Sequence, residues 1–297
     1  MKNLVVGASG QVGQALVRAF KIQNKPWVGT AHTRAQAEPG LRPLDLEDLE
    51  AAPALIRELG PSAVYFPAGW TWVDGCEADE EKAQRINALA PEAAARAARL
   101  AGAAFVYFST EYVFDGKAGP YAEGDPPAPL GAYARSKLEG EKRVLLAHPG
   151  ALVARTTVVY GPEPQGKNFV YQLVANLGQG KPMRVPGDQV SNPTYNDDLA
   201  RACYELVMFG MAGTYHVVGR DRLDRLAFAR EACRVFGLDR ELLRPVSTAD
   251  LGQKAARPLD AGLKADKLEA ELGWRPRGAR AGLEAMKAEL DRAGGRS

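Results

Sequence analysis

The sequence feature that most constrains the fold is a glycine-rich turn close to the start of the chain. Residues 3–6 (Asn-Leu-Val-Val) have the apolar character of a short buried strand, and Gly7, Gly10 and Gly13 follow at once. Residues 11–20 then carry apolar side chains at helical spacing. Glycines allow a tight turn and let backbone N–H groups approach a pyrophosphate at a helix N-terminus. The order strand, glycine turn, helix therefore predicts a dinucleotide-binding unit.

Strand-like and helix-like segments continue to alternate through the first half of the chain. We expect strands at residues 27–30, 63–66 and 105–109, and helices at residues 47–59, 77–88, 91–101 and 133–147. This alternation is typical of an α/β fold, a Rossmann-type doubly wound parallel sheet whose ligands bind beyond the C-terminal strand ends. Thr110, which follows the last of these strands, then lies at the same sheet edge as the glycine turn.

Beyond residue 160 the regular alternation stops. The pattern predicts helices at residues 168–177, 196–207, 225–236, 265–272 and 280–293, with extended segments at residues 183–186 and 214–218. We therefore predict two interleaved units. The dinucleotide-binding domain comprises residues 1–160 plus about 196–219, and a smaller C-terminal substrate-binding lobe comprises residues 161–195 plus 220–297.

Tyr133 and Lys137 are spaced to lie on one face of the helix predicted at residues 133–147. Positions i and i+4 of a helix are about 5–6 Å apart at Cβ. An ammonium beside a phenol favours the phenolate, so we expect the pKa of Tyr133 to be lowered, which suits a residue that passes a proton. A Tyr-Lys pair at this spacing also arises by chance, and its weight depends on its surroundings. Gly140 lies on the same face, where a glycine indicates close packing.

Composition excludes several classes of function. The net charge is +2, from 38 basic and 36 acidic residues, which gives no support for binding to nucleic acid or to a membrane surface. The 3 cysteines and 3 histidines are scattered, so no metal site is expected. With no apolar run of membrane-spanning length and no signal-like start, we expect a cytoplasmic protein.

The end of the second strand bears on the choice of cofactor. An NAD site normally places an acidic residue about 20 positions after the glycine turn, to hold the ribose hydroxyls. No acid stands there, whereas Arg34 is placed to meet a 2′-phosphate. The sequence therefore favours NADP(H), with NAD(H) as the alternative.

Together these motifs resemble the extended short-chain dehydrogenase/reductases over essentially the whole chain. The resemblance is carried by the glycine turn, Ser109-Thr110, Tyr133-x-x-x-Lys137 and the segment from Arg155 to Gly161 (Arg-Thr-Thr-Val-Val-Tyr-Gly). Residues 108–116 (Phe-Ser-Thr-Glu-Tyr-Val-Phe-Asp-Gly) and 120–125 (Pro-Tyr-Ala-Glu-Gly-Asp) are similar to the dTDP-4-dehydrorhamnose reductase branch of that family.

The resemblance implies NADPH-dependent reduction of the C4 keto group of a nucleotide-linked 4-keto-6-deoxyhexose. Tyr133 would then protonate the oxygen, Lys137 would hold the nicotinamide ribose and tune the phenol, and Thr110 would hydrogen-bond the carbonyl. The implied cofactor contacts are Gly7, Gly10, Gln11, Val12, Gly13, Arg34, Asp45, Leu46, Ala68, Gly69, Tyr133 and Lys137. The implied substrate contacts are Thr71, Thr110, Tyr112 and Asn168. A homodimer is possible.

Some residues depart from the pattern of that branch. Glu111 stands where the reductases usually have Asp, and Val158 stands where they often have a tryptophan near the sugar; Trp70 and Trp72 are bulkier than expected. These departures bear on the identity of the sugar nucleotide. Two alternatives remain open: an NADP-binding regulatory subunit like the beta subunit of methionine adenosyltransferase, and a sugar-nucleotide epimerase. The intact Thr110, Tyr133 and Lys137 favour an active enzyme.

Overall fold

We describe the fold from a computed structural model, which describes residues 2–32 and 40–294. The strands are β1 (Asn3–Val5), β2 (Trp27–Ala31), β3 (Leu41–Pro43), β4 (Ala63–Phe66), β5 (Ala104–Thr110), β6 (Leu152–Thr156), β7 (Val159–Tyr160), β8 (Met183–Pro186), β9 (Val190–Ser191), β10 (Thr194–Tyr195), β11 (Gly213–His216), β12 (Leu223–Asp224) and β13 (Leu243–Val246). The helices are α1 (Gln11–Ile22), α2 (Ala51–Leu59), α3 (Val73–Ala78), α4 (Glu80–Gln84), α5 (Ala90–Leu100), α6 (Ala132–Ala147), α7 (Phe169–Leu177), α8 (Asn196–Met208), α9 (Arg225–Phe236), α10 (Asp266–Leu272) and α11 (Ala279–Gly294).

A seven-stranded parallel sheet forms the centre of the molecule, in the order β11-β6-β5-β4-β1-β2-β3. Strands β1, β4 and β6 are buried along their whole length because helices cover both faces of the sheet. One face packs against α1 and α8, through residues such as Leu16, Phe20 and Leu199. The other packs against α2, α5 and α6, through residues such as Ile56 and Val144. The predicted Rossmann-type doubly wound sheet is confirmed.

A second hydrophobic core lies beyond β7. Its buried side chains come from α7, α9 and α11, together with Tyr160, Val185 and Tyr195. Short two-stranded pairings (β7 with β10, β8 with β13 and β9 with β12) tie these segments together. The helices predicted for this half are present with boundaries within one or two residues.

Two details of the first half differ from the prediction. Strand β3 was missed, because a three-residue strand that ends at Pro43 carries almost no periodic signal. Helix α2 begins at Ala51 and not at residue 47, since Asp45 and Asp48 accept backbone hydrogen bonds from Glu47 and Glu50 in turns. In the second half, Tyr195 is the N-cap of α8, and the side chain of Asn196 donates to the carbonyl of Pro162.

The helix break expected before Pro91 is also absent. Helix α4 runs through a π-helical turn (Arg85–Leu89) directly into α5. Proline has no N–H, so the carbonyl of Asn87, four residues earlier, loses its helical donor. The hydroxyl of Tyr107 donates to that carbonyl at 2.6 Å and so supplies the missing donor. A side chain from a neighbouring strand thus allows the helix to continue through the proline.

None of the helices in the described part of the chain is both long and apolar enough to cross a membrane.

Candidate active site

The glycine turn forms one wall of a cavity of about 840 Å³ at the C-terminal edge of the sheet. Gly7 has a φ of +94°, which L side chains rarely adopt. A Cβ on Gly13 would lie 2.1 Å from the carbonyl oxygen of Gly7, so α1 can approach the turn only with glycine there. Gly10 is the N-cap of α1 and offers no side chain to its first N–H groups. These groups are therefore available to an anion.

The residues around this turn fit a dinucleotide. The buried Nε2 of Gln11 has no hydrogen-bond partner within the described part of the chain, and it lines the cavity. An elongated cavity with bare backbone at a helix N-terminus and an unsatisfied amide is suited to a pyrophosphate and its ribose. The predicted cofactor residues that line it are Gly7, Gly10, Gln11, Val12, Gly13, Asp45, Leu46, Ala68, Gly69, Tyr133 and Lys137. Arg34 lies outside the described residues.

Asn87, which the sequence analysis did not single out, fixes the wall beside the glycine turn. Its Oδ1 accepts from the backbone N–H of Trp70 at 2.8 Å, and its Nδ2 donates to the Trp70 carbonyl and to Ser136 Oγ, both at 3.0 Å. A Cβ on Gly69 would lie 3.0 Å from Oδ1 of Asn87. Strand β4 is thereby joined to α6. The one sign in the sequence that Asn87 has a special role is its position four residues before Pro91. The sequence analysis interpreted this region as the end of a helix.

Tyr133 and Lys137 are both buried and face the same cavity from the first turns of α6. The helix begins at Ala132, whose N–H donates to Oε1 of Glu77 at 2.6 Å. Burial raises the pKa of Tyr133 well above its ordinary value, and the charge of Glu111 adds to the rise, while the Thr110 hydroxyl opposes it. The expectation that Lys137 lowers this pKa is therefore wrong, because removal of water from the phenol dominates.

Lys137 is itself perturbed by its surroundings. Its Nζ lies 4.0 Å from the centroid of the Tyr107 ring. Burial lowers the pKa of Lys137 to about 7, against the opposing charge of Glu141. Glu141 is already held by Arg155, with Nη2 and Oε2 2.7 Å apart, and by Ser109. The lysine therefore keeps its Nζ directed towards the cavity rather than paired with a carboxylate.

Thr110 ends β5 and caps a short 3₁₀ turn (Glu111–Val113). Its Oγ1 accepts from the N–H of Tyr112 at 3.2 Å and donates to Oε2 of Glu111 at 2.8 Å. Burial raises the pKa of Glu111 to about 7, while the Thr110 bond and the charge of Arg225 oppose the rise. The rings of Tyr112 and Tyr133 meet edge to face, 5.9 Å apart. This end of the cavity is therefore lined by one aliphatic hydroxyl, two phenols and a buried carboxyl.

The structure brings the predicted substrate residues Thr71, Tyr112 and Asn168 to the same cavity. The side chain of Asn168 is already engaged: it caps α7 by accepting from Val170, and it donates to the carbonyl of Gly161 at 2.9 Å. The side-chain amide of Asn168 therefore already has hydrogen-bond partners within the protein.

Two arginines near this end were missed by the sequence analysis. Arg225, the first residue of α9, lines the cavity and lies over the Phe169 ring at 5.1 Å. It forms no ion pair with any residue that the structure describes, and burial lowers its pKa. Arg257 is bound to Asp74 with Nη1 2.8 Å from Oδ1, and it faces Tyr112. Arg257, with Pro258, is part of the resemblance to the reductase branch, but neither arginine was assigned to the site, because each reaches it from the second half of the chain.

Comparisons with known proteins show what this chain is similar to. The family model described as the RmlD substrate binding domain matches residues 1–292. A probable low-salt glycan biosynthesis reductase of Haloferax volcanii is 34% identical over 92% of this chain and 93% of its own. A dTDP-4-dehydrorhamnose reductase of Mycobacterium tuberculosis is 37% identical over 86% of this chain and 82% of its own. The methionine adenosyltransferase 2 subunit beta of Xenopus tropicalis is 32% identical over 90% and 81%.

Two solved structures also superpose on nearly the whole of this chain. A dTDP-4-dehydrorhamnose reductase from Clostridium acetobutylicum superposes with a TM-score of 0.89 at 33% identity, over 98% of this chain and 100% of that one. The enzyme of the same description from Bacillus anthracis, solved in complex with NADP, has a TM-score of 0.89 at 28% identity, over 97% and 99%.

Proposed function

The chain belongs to the family described by the RmlD substrate binding domain, and from this premise we propose that it uses NADPH to reduce the C4 keto group of a nucleotide-linked 4-keto-6-deoxyhexose. It is an NAD(P)-dependent oxidoreductase related to the dTDP-4-dehydrorhamnose reductases. The observation that carries the proposal is the arrangement of Tyr133, Lys137 and Thr110 around one cavity with the glycine turn.

Different residues of the site have different roles in the proposed reaction. The first turn of α1 and the amide of Gln11 hold the pyrophosphate, and Lys137 holds the nicotinamide ribose. When bound, the reduced dinucleotide supplies the hydride that converts the ketone to an alcohol. Tyr133 donates the proton to the C4 oxygen, and its raised pKa keeps it protonated until that step. Thr110 hydrogen-bonds the same oxygen and aligns it.

A nucleotide sugar carries a diphosphate, which needs cationic partners. Arg225 is a half-buried side chain that lines the cavity without an ion pair in the described structure, and Arg257 stands nearby in its pair with Asp74. A planar guanidinium binds phosphate oxygens in a bidentate manner. We assign Arg225 to the diphosphate of the substrate, with Thr71 and Tyr112 against the sugar.

A second candidate function is that of a cofactor-binding regulatory subunit. It is favoured by the 32% identity to the methionine adenosyltransferase 2 subunit beta. In that case the cavity would bind the dinucleotide but reduce no sugar nucleotide. An epimerase would use the same Tyr and Lys, and would normally retain NAD through an acidic ribose anchor, which the sequence lacks.

A panel of 4-keto sugar nucleotides, with NADPH oxidation followed by absorbance, separates these functions. The reductase proposal predicts turnover with at least one 4-keto-6-deoxyhexose nucleotide and a 4-hydroxy product. A protein that binds NADPH in a titration but is inert on the whole panel would instead have the regulatory role. An epimerase would change sugar configuration without net oxidation of added NADPH.

Several finer assignments remain predictions. They are the contact of Arg34 with a 2′-phosphate, the division into the two interleaved units of residues 1–160 plus 196–219 and 161–195 plus 220–297, a homodimer, and a cytoplasmic location. The second hydrophobic core beyond β7 supports the division.

A further inference from the structure

The hydroxyl of Thr110 has several polar neighbours but only one proton to donate. Its Oγ1 accepts from the backbone N–H of Tyr112 at 3.2 Å and donates to Oε2 of Glu111 at 2.8 Å. The same hydroxyl faces the phenol of Tyr133 and opposes the rise of its pKa, which comes mainly from burial. A hydroxyl has one proton and two acceptor lone pairs. While that proton points at Glu111, it is not available to an oxygen in the cavity.

The carboxyl of Glu111 therefore competes with the substrate for the Thr110 proton. Resting on the function proposed above, we propose that Glu111 is a positioning residue, whose protonation turns the Thr110 hydroxyl towards the C4 carbonyl. With Glu111 protonated, its own O–H donates to the second lone pair of Thr110 Oγ1. The N–H of Tyr112 keeps the first lone pair, and the Thr110 proton then points into the cavity.

The proton balance of the reduction is unchanged by this step. The C4 oxygen receives its proton from Tyr133 and the two electrons come from the dinucleotide; the Thr110 proton is only redirected, and Glu111 keeps its own proton. Glu111 touches neither substrate nor cofactor in this scheme. It acts through Thr110, and only the ionisation of its carboxyl decides whether the donor is free.

The surroundings of Glu111 place this ionisation in a useful pH range. Burial raises the pKa of Glu111 to about 7, and the Thr110 hydrogen bond and the charge of Arg225 on α9 oppose the rise. The other groups that face it are Tyr112 on its own turn and Tyr133 on α6, and burial raises the pKa of both, so they are neutral. A substrate diphosphate on Arg225 would weaken that opposing charge and favour the protonated carboxyl further.

The pH dependence of kcat/KM in the parent and in Glu111→Gln tests the proposal. Above the Glu111 pKa the parent should lose about tenfold in kcat/KM per pH unit, the slope for one essential proton. A glutamine amide donates to Thr110 as the protonated acid does, so Glu111→Gln should stay active and lose this alkaline fall between pH 6 and 9. Glu241→Gln, an exposed carboxylate on a distant turn, should keep the parent profile.

Among the described residues that line the cavity, Lys137 is a competing source of such a fall, because burial also lowers its pKa to about 7; the profiles are therefore measured at saturating NADPH. If Lys137 causes it, Glu111→Gln retains the alkaline fall, and the proposal is overturned. A purely structural role for Glu111 would change kcat/KM equally at all pH values, which also overturns it. In a Thr110→Ala background the change Glu111→Gln should no longer alter the profile, since the hydroxyl that it controls is gone.

A readout without substrate separates this proposal from the proposed function. The infrared difference spectrum of parent minus Glu111→Gln should contain a protonated-carboxyl band at pH 6 that disappears by pH 8.5. Thr110→Ala should move that transition to higher pH, because it removes a hydrogen bond to the carboxylate. Absence of the band at pH 6 would refute the role of Glu111. A band that behaves as expected in a protein inert on all 4-keto sugars would refute the reductase alone.

Discussion

The ammonium of Lys137 lies over the ring of Tyr107, with Nζ 4.0 Å from the ring centroid. The hydroxyl of the same tyrosine donates to the carbonyl of Asn87 in the π-helical turn. One side chain on β5 therefore supports both the lysine that lines the cavity and the helix turn whose Asn87 fixes the cavity wall at Gly69 and Trp70. The face of an aromatic ring is a weak partner for a cation compared with water, which is why burial lowers the pKa of Lys137.

Binding of NADPH should be coupled to uptake of a proton by Lys137. In the free protein burial lowers the pKa of Lys137 to about 7, so at pH 8 the amine is mostly neutral. Ribose hydroxyls and nearby phosphates favour the charged form and raise the pKa in the complex. Because the complex then binds more protons than the free protein, NADPH affinity should decrease as pH rises above 7.

Calorimetric titration in buffers of different ionisation enthalpy measures this uptake, expected to be roughly one proton at pH 8. Lys137→Met should abolish the proton uptake and weaken NADPH binding. Glu111→Gln should retain the proton uptake that is due to Lys137. Equal uptake in the parent and in Lys137→Met would contradict the assignment.

Tyr133→Phe keeps the ring and its packing but removes the proton that Tyr133 donates. Turnover should fall by about 10²–10⁴, the usual scale of positioned acid catalysis, while NADPH affinity changes little. Single-turnover reduction and NADPH titration on the same samples check both parts. Tyr204→Phe, which removes a hydroxyl from a ring packed on Phe20 away from the cavity, serves as the matched control. Unchanged turnover in Tyr133→Phe would exclude it as the acid.

Arg225→Met should act on the substrate and spare the cofactor. Loss of a charged hydrogen bond to the diphosphate should raise KM for the nucleotide sugar by about 10- to 100-fold, corresponding to roughly 1.5–3 kcal/mol. The Kd for NADPH should stay the same, because we propose that the dinucleotide binds against the glycine turn. Arg230→Met, on the exposed side of the same helix, is the control. A larger loss of NADPH affinity than of substrate affinity would place Arg225 at the cofactor instead.

The ion pair of Arg155 and Glu141 lies buried below the active site, with Nη2 2.7 Å from Oε2. Arg155→Met leaves the Glu141 carboxylate without its cation and should cost about 3–5 kcal/mol in the free energy of unfolding, measured in urea. The double change Arg155→Met with Glu141→Leu should recover most of this loss, since no unpaired charge remains. If the double variant is no more stable than Arg155→Met, then lost packing and not an unpaired charge explains the lower free energy of unfolding of the single variant. Arg42→Met, at the exposed pair with Glu58, should hardly change stability.

Gly140 is the point of closest approach between α6 and its neighbours. A Cβ there would lie 2.2 Å from the Asn87 carbonyl oxygen and 2.4 Å from the Tyr107 hydroxyl. Gly140→Ala should therefore reduce the free energy of unfolding by about 1–3 kcal/mol, and it should weaken NADPH binding by displacing the support of Lys137. Gly124→Ala, where no atom lies within 4 Å of the added carbon, is the control and should unfold like the parent.

Features that depend on near neighbours in the chain could be predicted from the sequence. The glycine turn follows from residues 3–20, the shared face of Tyr133 and Lys137 follows from four-residue helical spacing, and the tight packing of Gly140 follows from a glycine within a helix. Alternating strand and helix patterns also predicted the parallel sheet, because the C-terminal ends of its strands must meet at one edge.

Other features required the fold. Arg225 reaches the cavity from a helix more than one hundred residues after Thr110, and no periodicity reports such a contact. The helix continues through Pro91 only because Tyr107, on another element, supplies the missing donor. Strand β3 is defined by its pairing with β2 and not by its three side chains.

The sequence by itself determined the candidates for the chemistry. Spacing along a helix is a local property, so it predicted that Tyr133 and Lys137 share a face, and the resemblance to the family implied their roles and that of Thr110. Tertiary structure decided the charge that each of them carries. Burial raises the pKa of Tyr133 and of Glu111 and lowers that of Lys137. Desolvation depends on every element packed around a group, and at this site it outweighs the effect of the neighbouring lysine on the phenol.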